Sequence, residues 1–138
     1  MKIIYYSDTG NTEKMANLIK EGIEQGGKSA DIINISDVNV DEVLKDEIIV
    51  LGCPAKGDEV LEEDEFEPFI EEISSKVSGK KVALFGSYGW GDGQWMRDFE
   101  ERMKSYGCTI IGSPVIIMGE PNDNDEECID LGKKIATV

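Results

Sequence analysis

Apolar runs and helical repeats alternate along the whole chain. Ile3-Ile4-Tyr5-Tyr6, Ile48-Ile49-Val50-Leu51 and Lys81–Phe85 are runs rather than alternations. Strands covered on both faces look like this. They predict a first strand over residues 2–6, a third over 48–51 and a fourth over 81–85. A second is expected over about 30–34. A fifth covers Thr109-Ile110-Ile111 and Val115-Ile116-Ile117, interrupted by Gly112-Ser113-Pro114. Between these runs the apolar spacing turns helical. Met15, Leu18, Ile19 and Ile23 predict a helix over about 12–25, closed by Gly26-Gly27. Phe66, Phe69, Ile70, Ile73 and Val77 predict one over about 67–76, with Pro68 near its first turn. Trp95, Met96, Phe99 and Met103 place another from near Asp92, and Cys128, Leu131 and Ile135 a last one over about 123–136. A short acidic piece, Val40–Lys45, leads into the third strand.

Strands that alternate with helices make an α/β fold with a single five-stranded parallel sheet, right-handed crossovers and helices on both faces. The 138 residues suit one domain over 1–138, and a hydrophobic fraction of 40% is enough for one core. Ligands of such sheets sit beyond the carboxyl ends of the strands. The loops to inspect are therefore those after the first, third, fourth and fifth strands.

The first of these loops is Ser7-Asp8-Thr9-Gly10-Asn11-Thr12. It would direct backbone N–H groups, hydroxyls and the positive end of a helix dipole at one point, where a phosphate belongs. It contains no Lys or Arg, so its grip would be hydrogen bonds and dipole. It also lacks the G-x-x-x-x-G-K-[ST] pattern of a nucleoside triphosphate loop. The plain alternative is an ordinary strand-to-helix turn with Asn11 or Thr12 as the N-cap. After the third strand comes Gly52-Cys53-Pro54-Ala55-Lys56-Gly57-Asp58-Glu59, and after the fourth Gly86-Ser87-Tyr88-Gly89-Trp90-Gly91-Asp92-Gly93. Trp90, flanked by glycines, suits stacking on a flat ligand. Its alternative is a loop anchor packed on the protein's own surface. Trp95 stands at helical spacing with Phe99 and reads as core. A phosphate loop and a glycine-presented aromatic on neighbouring strands describe one ligand, with a phosphate at one end and a planar ring at the other. A flavin mononucleotide fits.

Composition narrows the chemistry. There is no His, and Cys53, Cys108 and Cys128 are far apart with no C-x-x-C pair. Metal sites, a disulfide framework and the common His-based catalytic pairs are not expected. Each cysteine reads as a small buried hydrophobe. With no base or nucleophile near the loops, the ligand itself would carry the chemistry. A net charge of −15 argues against nucleic acid and anionic membranes and suits docking on basic protein partners. No apolar stretch has membrane-spanning length and Met1 leads straight into a strand, so a cytoplasmic protein is expected.

Ser7–Thr12, Gly57-Asp58-Glu59 and Phe85-Gly86-Ser87-Tyr88-Gly89-Trp90-Gly91 together resemble the short-chain flavodoxins, clostridial type, over essentially the whole chain. The resemblance implies the known strand order of that family, 2-1-3-4-5, with FMN at the switch point. It implies a low-potential one-electron carrier that substitutes for ferredoxin, passes through a neutral semiquinone and has no substrate of its own. Ser7, Thr9, Asn11 and Thr12 would hold the phosphate, with the Asp8 N–H and Gly10 in the same loop and the Asp8 carboxylate turned outward. Trp90 would stack on one ring face, and Pro54, Ala55 and Lys56 would cover the other. The Gly57–Asp58 peptide would turn its carbonyl to the ring when the first electron arrives, and Glu59 would accept from a ring N–H. Ser87 and Gly89, with Tyr88 and Gly91 in the same motif, would meet the ring edge or the ribityl chain. Two positions depart from the pattern. Position 56 is Lys where members usually carry Met, and Gly119 stands where they often place Asn near the ring. The Lys56 stem could lie on the ring with its amine in water, or the side chain could swing away.

Glu62, Glu63, Asp64, Glu65 and Glu67 follow the flavin loop, and Glu120, Asp123, Asp125, Glu126 and Glu127 follow the fifth strand. Like charge near the ring would disfavour an anionic reduced flavin and lower the second potential. These acidic runs would also steer a monomeric carrier to basic redox partners, less so as salt rises. Competing readings are an FMN-dependent NAD(P)H or quinone reductase, and a dedicated flavoprotein activator of a metal-dependent ribonucleotide reductase. A phosphoacceptor receiver domain shares the fold but needs an Asp where Cys53-Pro54 stands.

Overall fold

A computed structural model describes residues 1–138. In chain order the elements are β1 (Lys2–Tyr5), α1 (Asn11–Gln25), β2 (Asp31–Asn34), a 3-10 turn (Ile35–Asp37), α2 (Val40–Val43), β3 (Ile48–Gly52), α3 (Phe66–Ile73), β4 (Lys81–Tyr88), α4 (Gln94–Ser105), β5 (Thr109–Ile110), β6 (Val115–Met118) and α5 (Glu126–Ala136). The sheet is parallel throughout, in the order β2-β1-β3-β4-β5. β6 continues the β5 edge along β4, with Phe85 opposite Val115 and Tyr88 opposite Met118. The interrupted fifth strand is thus two short segments on one neighbour, separated by the Gly112-Ser113-Pro114 break.

Each central strand feeds two cores because successive side chains point to opposite faces. Ile3, Val50, Ala83 and Phe85 go to one face, where α1 and α5 contribute Met15, Ile19, Ile23, Leu131 and Ile135. Ile4, Leu51, Val82 and Leu84 go to the other, under Phe66, Ile70, Trp95, Phe99 and Met103 of α3 and α4. Trp95 is core, as its spacing predicts, and its Nε1 donates to the Cys53 carbonyl at 3.1 Å. α1 and α5 cross at Gly22 and Gly132: a Cβ at Gly22 would meet the Ile129 carbonyl and one at Gly132 the Ile19 carbonyl. Only glycine allows the two helix backbones to approach this closely.

Several boundaries differ from expectation. β4 runs through Tyr88, three residues past Phe85, because β6 supplies a partner for Gly86, Ser87 and Tyr88. α5 starts at Glu126, where the Asp125 carboxylate accepts from the N–H groups of Glu127 and Cys128. α3 stops at Ile73, short of residue 76. All three cysteines are free and buried. No helix is long and apolar enough to cross a membrane.

Candidate cofactor site

β1, β3, β4 and β6 end at the same sheet edge because they are parallel and in register. Their following loops enclose a cleft of about 330 Å³. That volume lies at the lower end of ordinary small-molecule sites. Asp8, Thr9 and Asn11 line one end and Pro54, Ala55, Lys56 and Gly57 one wall. Ser87, Tyr88, Gly89, Trp90 and Gly119 complete it. Every one of these residues is among those singled out from the sequence. Gly119, at φ +75, is tied to β4 by its N–H, which donates to the Tyr88 carbonyl at 2.8 Å.

The first loop is organised by its own hydroxyls. Ser7 Oγ accepts from the Gly10 N–H at 3.1 Å and the Glu13 N–H at 3.3 Å. Gly10, in the left-handed region at φ 92, is the N-cap of α1 and offers no side chain to it. Neither Asn11 nor Thr12 plays that part: both lie inside the helix. The Thr12 N–H has no acceptor within the chain. Thr9 Oγ1 accepts from the Asn11 N–H at 3.4 Å, so of the first helical N–H groups that of Thr12 stays open, at the positive end of the α1 dipole. Below it, Thr12 Oγ1 and Ser87 Oγ share a 2.7 Å hydrogen bond and are 1% and 3% exposed.

The wall from β3 is a tight hairpin. Lys56 and Val60 exchange backbone hydrogen bonds at 2.9 Å in both directions, closing a three-residue tip of Gly57, Asp58 and Glu59. The tip needs positive φ at Gly57 (+51) and at Glu59 (+56), the one non-glycine residue in that region. Asp58 is exposed at the apex. Glu59 does not line the cleft. Its Oε1 accepts from the Gly93 N–H at 3.3 Å, and the carboxylate lies beside Gly91, joining the hairpin to the loop after β4. Trp90, between Gly89 and Gly91, is 56% exposed and faces the cleft. It does not pack into the core, in contrast to Trp95, which Tyr88 covers at a ring separation of 5.3 Å.

Charges near the cleft are arranged differently from their sequence grouping. Asp8 is ion-paired with Lys56 rather than free in solvent, and the Lys56 ammonium stands 5.9 Å from the Tyr6 ring centre. Lys56 therefore turns toward the first loop. Its hydrogen bond holds the Asp8 carboxyl below the usual carboxylate range. Glu62 is buried, and its carboxylate accepts from Asp64 N at 2.7 Å, Glu65 N at 2.8 Å and Phe66 N at 3.0 Å. It caps α3 instead of adding to the surface charge. Glu67 binds Arg102 in a forked pair, with Nη1 to Oε1 at 2.7 Å. Lys14 holds Glu120 at 3.2 Å and Asp123 at 2.8 Å. Glu63, Asp64 and Glu65 remain exposed. Burial pushes the Cys53 thiol beside the cleft up to about 12, so it carries no thiolate at neutral pH.

A hydroxyl-lined helix start and an exposed indole on the same cleft accommodate a group with a phosphate at one end and a planar ring at the other. The sequence profile of the Flavodoxin family matches residues 3–132. The chain is 65% identical to a flavodoxin of Clostridium beijerinckii over 138 residues, covering 100% of both. It is 44% identical to a flavodoxin of Megasphaera elsdenii over 136 residues, covering 99% of this chain and 98% of that one. The solution structure of the two-electron reduced Megasphaera elsdenii flavodoxin superposes with a TM-score of 0.90, 44% identity and full coverage of both chains.

Proposed function

This chain belongs to the flavodoxin family and is an FMN-binding electron carrier without a substrate of its own; on that premise we propose that the cleft between the Ser7–Thr12 loop, the Lys56–Val60 hairpin and Trp90 is where FMN is held. FMN, when bound, supplies the redox chemistry, taking up and releasing single electrons. The protein's part is to bind, orient and bias it.

Ser7, Thr9, Gly10, Asn11 and Thr12 hold the phosphate through hydroxyls, the open Thr12 N–H and the α1 dipole, with the Asp8 N–H in the same loop. Ser87, Tyr88, Gly89 and Gly119 flank the middle of the cleft, and Gly91 shapes the turn that carries Trp90. Trp90 covers one ring face. Pro54, Ala55 and the stem of Lys56 form the opposite wall. Gly57, without a Cβ and already in the left-handed region at φ +51, lets the Gly57–Asp58 peptide reorient at little cost. Glu59, outside the cleft lining, ties the hairpin to the loop that carries Trp90. The exposed carboxylates of Asp58, Glu63, Asp64 and Glu65 disfavour added negative charge in the cleft and so make the carrier low-potential.

The observation that carries this reading is the joining of a hydroxyl-lined helix start, with its open Thr12 N–H, and a half-exposed Trp90 in one cleft. Trp90 on the cleft, Val60 at the end of the hairpin and Met118 next to Gly119 stay exposed, an apolar rim in an acidic protein. That rim suits transient docking of basic redox partners by a monomer covering residues 1–138 in the cytoplasm. Titrating flavin-free protein with FMN tests the reading. One FMN per chain with quenched tryptophan emission supports it, and no uptake overturns it.

A further inference from the structure

Asp8 places a carboxylate in a loop that must receive a phosphate dianion, and no Lys or Arg lies within residues 7–12 to offset it. The offset comes from elsewhere in the chain. Lys56, on the hairpin that forms the opposite wall, reaches across and binds the Asp8 carboxylate. Both residues line the cleft, and both side chains are little more than one-third exposed, at 37% and 36%. Lys56 is not a loosely tethered cation. Its backbone is fixed by the paired hydrogen bonds with Val60, and its ammonium is flanked by the Tyr6 ring. The Lys56 hydrogen bond holds the Asp8 carboxyl below its ordinary value, so at neutral pH its charge has to be compensated rather than removed by protonation.

Resting on the FMN reading above, we propose that Lys56 is a residue of the phosphate site, supplied by the hairpin to cancel the charge of Asp8 and so let a loop with an internal carboxylate accept a phosphate dianion. Lys56 would act on the phosphate through Asp8 and need not touch it. A charge-compensating role differs from a mechanical tie between the two walls. In the first, removing Lys56 harms only the phosphorylated flavin, and removing Asp8 as well repairs the damage. In the second, either loss loosens the cleft for any flavin, and the double loss is no better.

The experiment is a fluorescence titration of flavin-free wild type, Asp8→Asn, Lys56→Met and the double variant with FMN and with riboflavin. Circular dichroism melts verify that each is folded. The expected result is that Lys56→Met weakens FMN about tenfold or more and riboflavin by less than about threefold. Asp8→Asn alone tightens FMN, and the double variant regains most of the loss. The assignment is overturned if Lys56→Met leaves the FMN-to-riboflavin affinity ratio unchanged, or if the double variant binds FMN as weakly as Lys56→Met. Wild type that takes up neither flavin would overturn the FMN reading itself, and this assignment with it.

Discussion

Thr12 and Ser87 join the start of α1 to the end of β4 through a buried 2.7 Å hydrogen bond between their hydroxyls. Each hydroxyl has one proton, so whichever residue donates, the other keeps a proton to give elsewhere. Ser87 lines the cleft, and donation from Thr12 to Ser87 leaves the Ser87 O–H free to face the cofactor. Ser87→Ala removes that donor and strips Thr12 Oγ1 of its partner. The expected cost is about 1–3 kcal/mol of stability, with weaker FMN binding. Chemical denaturation of the flavin-free protein, followed by FMN titration, measures the two effects separately.

Trp90 and Trp95 are five residues apart and opposite in environment. Acrylamide should quench much of the emission of wild type and little of that of Trp90→Phe, because Trp95 is buried. Trp90→Phe keeps an aromatic face and should weaken FMN by a factor of a few, while Trp90→Ala should weaken it about tenfold, in line with the worth of one aromatic stack.

Glu62 is worth most when charged. Burial pushes its carboxyl up, and the N–H groups of Phe66, Glu65 and Asp64 together outweigh burial, so it lies below its ordinary value of 4.5. A depressed folded-state pKa gives stability that is present above the unfolded value and is lost as pH falls through the folded one. Glu62→Gln should therefore destabilise by about 1–2 kcal/mol at pH 7. The gap between variant and wild type should close as pH drops below about 4.5. Urea midpoints at several pH values between neutral and acid provide the comparison, and a gap that stays constant contradicts the capping role.

Gly57 sits at φ +51 at the hairpin tip. Gly57→Ala should cost about 1 kcal/mol of stability. A β-branched residue there should also resist reorientation of the Gly57–Asp58 peptide and narrow the separation between the two one-electron potentials. A redox titration of Gly57→Val against wild type measures that separation.

The cleft was legible because its signals are local. The hydroxyl-rich turn, Trp90 between two glycines and the Gly57–Glu59 stretch each announce themselves within a few residues, and the parallel topology brings them to one edge. The central strands were legible for a similar reason: both-face burial leaves uninterrupted apolar runs at β1, β3 and β4. What was hidden depends on partners distant in sequence. The extension of β4 to Tyr88 requires β6, and the Gly22–Gly132 crossing joins two helices more than a hundred residues apart. Nothing in a run of acidic residues marks Glu62 as the one that turns inward, since its partners are backbone N–H groups. The Lys56–Asp8 pair joins two loops 48 positions apart, and the sequence left Lys56 with two open directions, neither of which was Asp8. Glu59, expected to face the ligand, is engaged by the Gly93 N–H, 34 positions away in sequence.

The most direct test of a one-electron carrier is a visible absorption spectrum recorded during stepwise anaerobic reduction of the FMN-loaded protein. The predicted result is two resolved stages, each consuming one electron per chain, with a distinct long-wavelength band present only between them. Bleaching in a single two-electron stage with no such band would contradict it.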